Sequence, residues 1–292
     1  MPPLLSLGAC SRDDASDPTT SQMKKLKQLF RRKTPAGSGD WLATHPETGQ
    51  TFDQYRAPPR HRVSTLYSTL RIVPIGPLST GQSDVLGAVA DFMGVFFGLA
   101  LSVVDTPVPL EEIPLDAQRI PYDGAKRQLL TTHLLQQVLP RFRRATDAAV
   151  LGITAWDLWA GPDWNFVFGQ GSLTERVGIW SMARNGNPDT DAPTRHICLV
   201  RTLKTATHET GHMLGIKHCI AYECGMNGSN NTFEHDRQPV EFCPECQAKL
   251  WWTCGVDPAA RSESLSDVAR KHELTELAAW WKQQALLLAT TK

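Results

Sequence analysis

The sequence lacks three features that would place it in a specialised class of protein. Its longest apolar stretch, Phe92 to Val104, has 13 residues, whereas a membrane-spanning helix needs about 20. Thirty basic residues balance thirty acidic residues, so the basic excess of a dedicated nucleic-acid-binding protein is missing. The compositional bias of collagen, of a coiled coil or of bulk disorder is also absent. We therefore expect a globular chain with no membrane span and no nucleic-acid partner.

The N-terminus lacks the charged and apolar regions of an export signal. Leu7 to Cys10 looks like the cleavage box of a bacterial lipoprotein, but no Lys or Arg precedes it and Asp13 and Asp14 follow it closely. The seven cysteines are odd in number, and Cys10, Cys198 and Cys254 stand apart from the cluster that the other four form. Unpaired thiols suit a reducing compartment, so we expect a cytoplasmic protein.

The composition divides the chain into three segments. With 41% hydrophobic residues among 292, the chain can bury a substantial core. Residues 1 to 38 surround a basic segment and are predicted to be a disordered basic tail, although a short amphipathic helix there is an alternative. Residues 39 to 260 are predicted to be the main domain. Residues 261 to 292 are predicted to form a C-terminal helix, since apolar residues recur at helical spacing from Ser264 to Leu288.

Hydrophobic periodicity predicts both helices and strands in the main domain. Three short apolar runs in the middle of the chain have a meander-like spacing. The predicted strands are Thr65 to Val73, Phe96 to Val104, and the three runs Ala149 to Leu158, Trp164 to Phe168 and Arg176 to Met182. Ile197 to Arg201 is a candidate for a fourth strand after these three runs. The predicted helices are Val85 to Phe97, Asp123 to Leu139 and Thr205 to Leu214.

The strongest motif is HExxHxxGxxH, which one run of the sequence fits at every fixed position. On a helix, His208 and His212 lie one turn apart on the same face, close enough to share a metal ion. Gly215 can adopt a left-handed backbone that ends the helix and lets His218 return as a third ligand. Three neutral imidazoles leave zinc an open position, as in catalytic sites. The motif predicts a catalytic zinc on these histidines and Glu209 as the general base for water.

Spacing alone leaves two other interpretations of this motif open. The histidines can be incidental residues of a helix, or they can hold a purely structural metal.

A second cluster begins at the next residue. Cys219 and Cys224 form a CxxxxC pair, and Cys243 and Cys246 form a CxxC pair. Four thiolates around zinc leave no open position, so this site is predicted to be structural. Two disulfides or four free thiols are the alternatives. The sequence thus predicts two zinc ions, one catalytic and one structural.

The combined pattern resembles the archaemetzincin family of zinc metallopeptidases. It consists of HExxHxxGxxHC, then Cys224-Gly225-Met226, then Cys243-Pro244-Glu245-Cys246. Segments 151–154, 165–169 and 181–184 are similar to the family as well, so the resemblance covers roughly residues 64 to 252. Sixteen residues separate Met226 from Cys243, one fewer than is typical of the family.

The resemblance implies an α/β fold of metzincin-like zinc peptidases. It implies a mixed twisted sheet, an active-site helix, and a Met-turn subdomain that carries the four-cysteine zinc site. Met226 would be the Met-turn methionine, an apolar floor under the catalytic zinc. An antiparallel edge strand above the cleft would bind an extended peptide, and Arg176 to Met182 is our candidate for it. The resemblance also implies peptide substrates, and it is compatible with aminopeptidase activity on short peptides.

Several other residues are interpreted as structural. His235 is expected on a solvated polar loop, with a place in the cleft as the alternative. Trp156, Trp159, Trp164 and Trp180 are expected in the core. Acidic residues that could bind a free amino terminus are Glu175, Glu234 and Asp236.

The sequence therefore predicts a zinc-dependent metallopeptidase that hydrolyses peptide bonds. A different function, a non-catalytic zinc-stabilised module that binds a peptide or protein, needs the same three histidines but has no use for Glu209. An amidohydrolase with a non-peptide substrate would share the same chemistry.

Overall fold

A computed structural model of the chain describes residues 18–58, 62–63, 66–121 and 127–290. The strands are β1 (Thr69–Ile75), β2 (Ala100–Val103), β3 (Gln118–Arg119), β4 (Gln128–Leu130), β5 (Asp147–Thr154), β6 (Asp157–Trp159), β7 (Gly169–Gly171) and β8 (Val177–Ser181). The helices are α1 (Pro18–Leu26), α2 (Trp41–Thr44), α3 (Phe52–Arg56), α4 (Thr80–Phe97), α5 (Thr131–His133, continued by irregular helical turns to Phe142), α6 (Ala192–Met213), α7 (Thr232–Arg237), α8 (Pro244–Cys254), α9 (Pro258–Lys271) and α10 (Thr275–Ala289). Within these ranges, no helix has both the length and the hydrophobicity to cross a lipid bilayer.

The main sheet has five strands in the order β2-β1-β5-β8-β7. The first four run parallel, and β7 pairs antiparallel with β8 at one edge. A second, smaller sheet has the order β3-β4-β6. The predicted α/β class with a mixed sheet is confirmed.

The main sheet is covered on both faces, as is usual for parallel strands. Successive residues of β1 point to opposite sides: Leu70 and Ile72 belong to the larger core, whereas Val73 and Ile75 belong to the smaller one. The larger core contains α4 and α6, and the smaller core contains the helical turns around Leu134 to Leu139. Helix α6, which contains His208 and His212, is therefore held against one face of the sheet.

Three predicted elements have a different secondary structure. Residues 164–168, predicted as a strand, form only an isolated bridge from Val167 to Leu158, and the strand of this region begins at Gly169. Residues 197 to 201, predicted as a strand, lie inside α6, because their buried members continue the three-to-four-residue spacing of Thr202, Leu203 and Ala206. Of the helix predicted from residue 123, residues 123–126 lie outside the described range, 128–130 form strand β4, and helical turns begin at Thr131. Pairing of β4 with β6 accounts for the strand, and a single sequence does not reveal such non-local pairing.

The meander expected in the middle of the chain is a parallel arrangement instead, because β5 pairs parallel with β8. The predicted edge strand, Arg176 to Met182, corresponds to β8 and lies inside the sheet. The antiparallel strand at the edge is β7, whose residues Gly169, Gln170 and Gly171 carry no hydrophobic signal.

The basic segment near the N-terminus is helical and packed where the structure describes it, unlike the expected tail. Met23 and Leu26 on α1 are buried against α8 and α10. The Lys33 ammonium lies 3.2 Å from the Glu223 carboxylate. The apolar face of this helix is stabilised by a tertiary partner, which a short isolated helix lacks. The lipoprotein-like segment up to Cys10 lies outside the described residues.

The C-terminal segment consists of two helices, where one was expected. The chain reverses between α9 and α10, with Glu273 at a positive φ of 58°. The buried Glu241 carboxylate accepts hydrogen bonds from Arg261 on α9 and Trp281 on α10. These bonds attach both helices to the segment just before Cys243. The three-segment division of the chain stays a prediction.

Truncation of Leu26 tests whether α1 is part of the folded core. Its side chain is fully buried, so Leu26→Ala should lower the free energy of unfolding by about 2–5 kcal/mol. Lys24→Ala, at an exposed position of the same helix, should change it by less than about 0.5 kcal/mol. Urea unfolding of both variants measures the difference. Equal stability would show that α1 does not contribute to the core.

Candidate active site

The HExxHxxGxxH residues lie at the C-terminal end of the long helix α6. Asp191 caps the start of this helix, where its side chain accepts a hydrogen bond from the Thr194 N–H. Gly215 has a positive φ of 82° just beyond the end of the helix, and this conformation favours glycine. The reversal brings His218 back over the helix, with its Nε2 atom 3.2 Å from Nε2 of His208. His208, His212 and His218 each offer a nitrogen within 4.8 Å of the other two.

Each of the three imidazoles is oriented by a hydrogen bond at its Nδ1 atom. Nδ1 of His208 lies 2.8 Å from the Gly225 carbonyl oxygen, and Nδ1 of His212 lies 2.8 Å from that of Ile216. Nδ1 of His218 lies 2.7 Å from the Glu47 carboxylate. Since carbonyl and carboxylate oxygens only accept hydrogen bonds, the three Nδ1 atoms act as donors. The Nε2 lone pairs are then free to bind a metal.

Burial keeps two of these imidazoles neutral, which is the form that binds metals. It lowers the pKa of His212 to about 3 and places that of His208 well below the ordinary value, and the neighbouring histidines add to both shifts. Three imidazoles, with no fourth ligand in the cluster that the described residues form, are a donor set that fits catalytic zinc.

Glu209 lies beside the histidines and is 6% exposed. Burial raises the pKa of its carboxyl to about 8, whereas a hydrogen bond from the Gly171 backbone acts in the opposite direction. Gly171 belongs to edge strand β7, which runs directly over α6. A Cβ at Gly171 would lie 2.6 Å from the Glu209 carbonyl oxygen, so only glycine allows the strand to approach this closely.

The four clustered cysteines come together next to the histidines, and the first of them directly follows His218. The sulfur atoms of Cys219, Cys224, Cys243 and Cys246 all lie within 4.8 Å of one another. All four residues are buried, and none forms a disulfide. Burial raises the pKa of the Cys224 and Cys243 thiols, whereas hydrogen bonds with the neighbouring cysteines lower that of Cys219. Four thiolates buried this close together would need a cation to stabilise them. This donor set fits a closed zinc site.

Met226 is fully buried beneath the helix that carries the histidines. A Cβ at Gly211 would lie 2.5 Å from the Met226 sulfur, so the two residues pack in direct contact. This position is consistent with the apolar floor implied by the resemblance.

The histidines and Glu209 line a cavity of about 570 Å³. Strand β7 lines it as well, and so do Phe168 and three aromatic residues that the sequence did not connect to the site: Trp41, His45 and Trp164. Trp41 and His45 stack at 3.9 Å between ring centroids. Both lie far from the motif in the sequence, so no spacing signal could have linked them to it.

His235 also lines this cavity, so the expectation of a solvated loop is wrong. It is 4% exposed and stacks on Phe168, with 4.8 Å between ring centroids. Burial lowers its pKa to about 4. Helix α7 accounts for this placement, because Asn231 caps it and the helix turns the ring inward.

Other candidate residues have different surroundings. The Glu234 carboxylate accepts hydrogen bonds from the backbone of Trp41 and Asn230, and Asp236 pairs with Arg201 at 2.6 Å. Glu175 lies on the exposed turn before β8. The carboxylates that line the cavity, among the described residues, are those of Asp163 and Glu209.

The four tryptophans of the strand region were expected in the core. Trp159 and Trp180 are buried as expected, Trp156 is partly buried, and Trp164 faces the cavity.

Comparison with known proteins gives a consistent result. The model of Peptidase family M54 matches residues 134–251. Archaemetzincin-2 of Rattus norvegicus is 32% identical over 272 residues, which cover 81% of this chain and 74% of that protein. Archaemetzincin of Archaeoglobus fulgidus is 36% identical over 176 residues, 60% of this chain and 96% of that protein.

A solved structure is similar to this chain as well. The crystal structure of archaemetzincin from Methanopyrus kandleri is 29% identical in sequence and superposes with a TM-score of 0.53. The match covers 65% of this chain and 97% of that one.

The close contact between β7 and α6 can be tested at Gly171. A methyl group there would collide with the Glu209 backbone, so Gly171→Ala should cost about 1–3 kcal/mol of stability. Gly87→Ala is the matched control, since a Cβ at this exposed position of α4 meets nothing within 4 Å. It should stabilise the protein by about 0.5–1 kcal/mol. Thermal unfolding of both variants measures the effects, and a neutral Gly171→Ala would contradict the packing described here.

Proposed function

The chain belongs to the archaemetzincin family of zinc metallopeptidases, and from this premise we propose that it hydrolyses peptide bonds with Glu209 as general base. His208, His212 and His218 would hold the catalytic zinc. The observation that carries the proposal is the convergence of three Nε2 atoms beside a buried carboxylate, at the wall of a cleft large enough for a peptide.

Zinc held by His208, His212 and His218 would supply a Lewis acid and would bring the pKa of water close to neutrality. Glu209 then accepts the proton of the attacking water and delivers it to the leaving amine. The Gly171 N–H donates to the Glu209 carboxyl and stabilises its charged form, which is the form that accepts a proton. Burial gives this carboxyl the raised pKa that suits it to both steps.

Strand β7 would bind the substrate. It is antiparallel to its neighbour, it lies at the edge of the sheet, and its residues line the cavity. An extended peptide can add to such an edge through main-chain hydrogen bonds. The Gln170 side chain accepts a hydrogen bond from Thr131.

Aminopeptidase activity on short peptides is the finer part of the proposal. A free amino terminus needs an anionic group in the cleft, and Asp163 is an exposed carboxylate on the cavity wall. Glu234 and Asp236 are engaged in other contacts, so Asp163 replaces them as the candidate.

The second zinc would be structural and held by Cys219, Cys224, Cys243 and Cys246. It would fix the loop that carries Gly225 and Met226, and Gly225 in turn orients His208. Lys249, which is 1% exposed, has its ammonium 4.0 Å from the Cys246 sulfur. This positive charge offsets part of the negative charge of four thiolates.

Glu209→Gln tests the general base. The amide cannot accept a proton, so kcat/KM should fall by at least about 10²–10⁴-fold, while zinc content stays unchanged. Cleavage of a mixed peptide library, read by mass spectrometry, measures activity and shows whether cuts are terminal or internal. Glu175→Gln, an exposed carboxylate near β7, is the control and should retain the activity of the parent. A fully active Glu209→Gln would refute the assigned role.

Cys246→Ser tests the structural site. The parent should contain two zinc ions per chain by atomic absorption, and this variant should contain one and unfold at a lower temperature, because a closed zinc site contributes directly to folding. Cys254→Ser removes a thiol that lies outside the cluster and should leave two ions. Unchanged zinc content in Cys246→Ser would exclude the four-cysteine site.

A further inference from the structure

One wall of the cleft is built by residues 37–50, which we call the N-terminal strap. This strap lies outside the region matched by the family model. It is attached to α7 and the residues before it: Arg237 pairs with Asp40, and the Asn230 side chain donates to the Thr44 hydroxyl at 3.0 Å. The strap is therefore a fixed part of the site.

Glu47 is the strap residue that hydrogen-bonds to a candidate zinc ligand. Trp41 of the strap also packs edge-on against His218, with 5.3 Å between ring centroids. One of its carboxylate oxygens, Oε1, accepts hydrogen bonds from Nδ1 of His218 at 2.7 Å and from the Trp41 indole at 3.0 Å. The other oxygen, Oε2, is buried and has no hydrogen-bond partner among the described residues. A buried carboxylate oxygen without a partner is costly, unless positive charge nearby stabilises it.

The three histidines differ in how they are oriented. Nδ1 of His208 and Nδ1 of His212 donate hydrogen bonds to backbone carbonyls near the motif. Nδ1 of His218 donates to a carboxylate instead, and this carboxylate belongs to a residue 171 positions away in the sequence. A hydrogen bond to a carboxylate is stronger than one to a carbonyl. It fixes the Nδ1–H tautomer and makes Nε2 more basic, so it strengthens the bond from imidazole to metal.

The strap also supports the turn that carries His218. The Gln50 side chain accepts a hydrogen bond from the Lys217 N–H at 3.2 Å and donates to the Gly215 carbonyl at 3.4 Å. The Gln50 carbonyl accepts a hydrogen bond from Lys249, beside the cysteine cluster. The strap thus contacts the surroundings of both metal sites.

We propose that Glu47 is a positioning residue for the catalytic zinc, acting through the hydrogen bond to His218. The inference rests on the proposed function, since it takes the three histidines as zinc ligands. The strap then completes the active site in two ways. Glu47 supplies a negative charge beside His218, and Trp41 and His45 form part of the cleft wall.

The test compares Glu47→Gln and Glu47→Ala with the parent, all as full chains. Glutamine keeps an oxygen that accepts from His218 but removes the charge, and alanine removes both. Asp40→Asn is the matched control, because it weakens attachment of the same strap without touching His218. The zinc dissociation constant of the histidine site is measured by competition with a chelator. Long-range ¹H–¹⁵N NMR reports the tautomer of His218.

Affinity for zinc should fall about 10-fold in Glu47→Gln and up to about 100-fold in Glu47→Ala, with little change in Asp40→Asn. The Nδ1–H tautomer of His218 should be retained in Glu47→Gln and lost in Glu47→Ala. If alanine prevents folding, the near-isosteric glutamine variant still decides the matter.

Two results separate failure of this inference from failure of the proposed function. If the parent binds zinc at the histidines and both Glu47 variants bind it equally well, the role of Glu47 is refuted and the peptidase site stands. If the parent keeps only the zinc of the cysteine cluster, the proposed catalytic site is itself wrong.

Discussion

The site depends on three hydrogen bonds that orient His208, His212 and His218 so that their Nε2 atoms face one point. Each acceptor belongs to a different part of the chain. Ile216 lies in the turn after α6, Gly225 lies in the loop held by the cysteine cluster, and Glu47 lies in the N-terminal strap. Because an imidazole binds a metal well only with the correct tautomer and orientation, these three parts must all be in place for one site to form.

Close packing around α6 is the second requirement for the site to form. Strand β7 passes over the helix at Gly169 and Gly171, and Met226 packs beneath it at Gly211. Side chains at these glycines would push the edge strand or the methionine away from the helix. The helix is thus fixed from both sides, so Glu209 lies between the histidines and the edge strand where a peptide would bind.

Local features of the site were predictable because the residues involved are close in sequence. His208 and His212 share a helix face, Gly215 permits the reversal, and the two cysteine pairs follow one another closely along the chain. Misassigned features depended on partners elsewhere in the chain. Strand β7 lies at the edge of the sheet in place of β8, and α1 is buried by contact with α8 and α10. His235 was misread for the same reason, since an acidic loop sequence gives no sign that α7 turns its ring toward Phe168.

The sequence by itself determined the donor atoms of both candidate metal sites, the candidate general base and the family resemblance, because a helix and a glycine turn place those groups through local geometry alone. Only the tertiary structure decided which strand borders the cleft, which aromatic rings form its wall, and that Glu47 contacts His218. These contacts join segments that are far apart in the sequence. They follow from how helices and sheet pack against each other, and no local spacing in the chain encodes that packing.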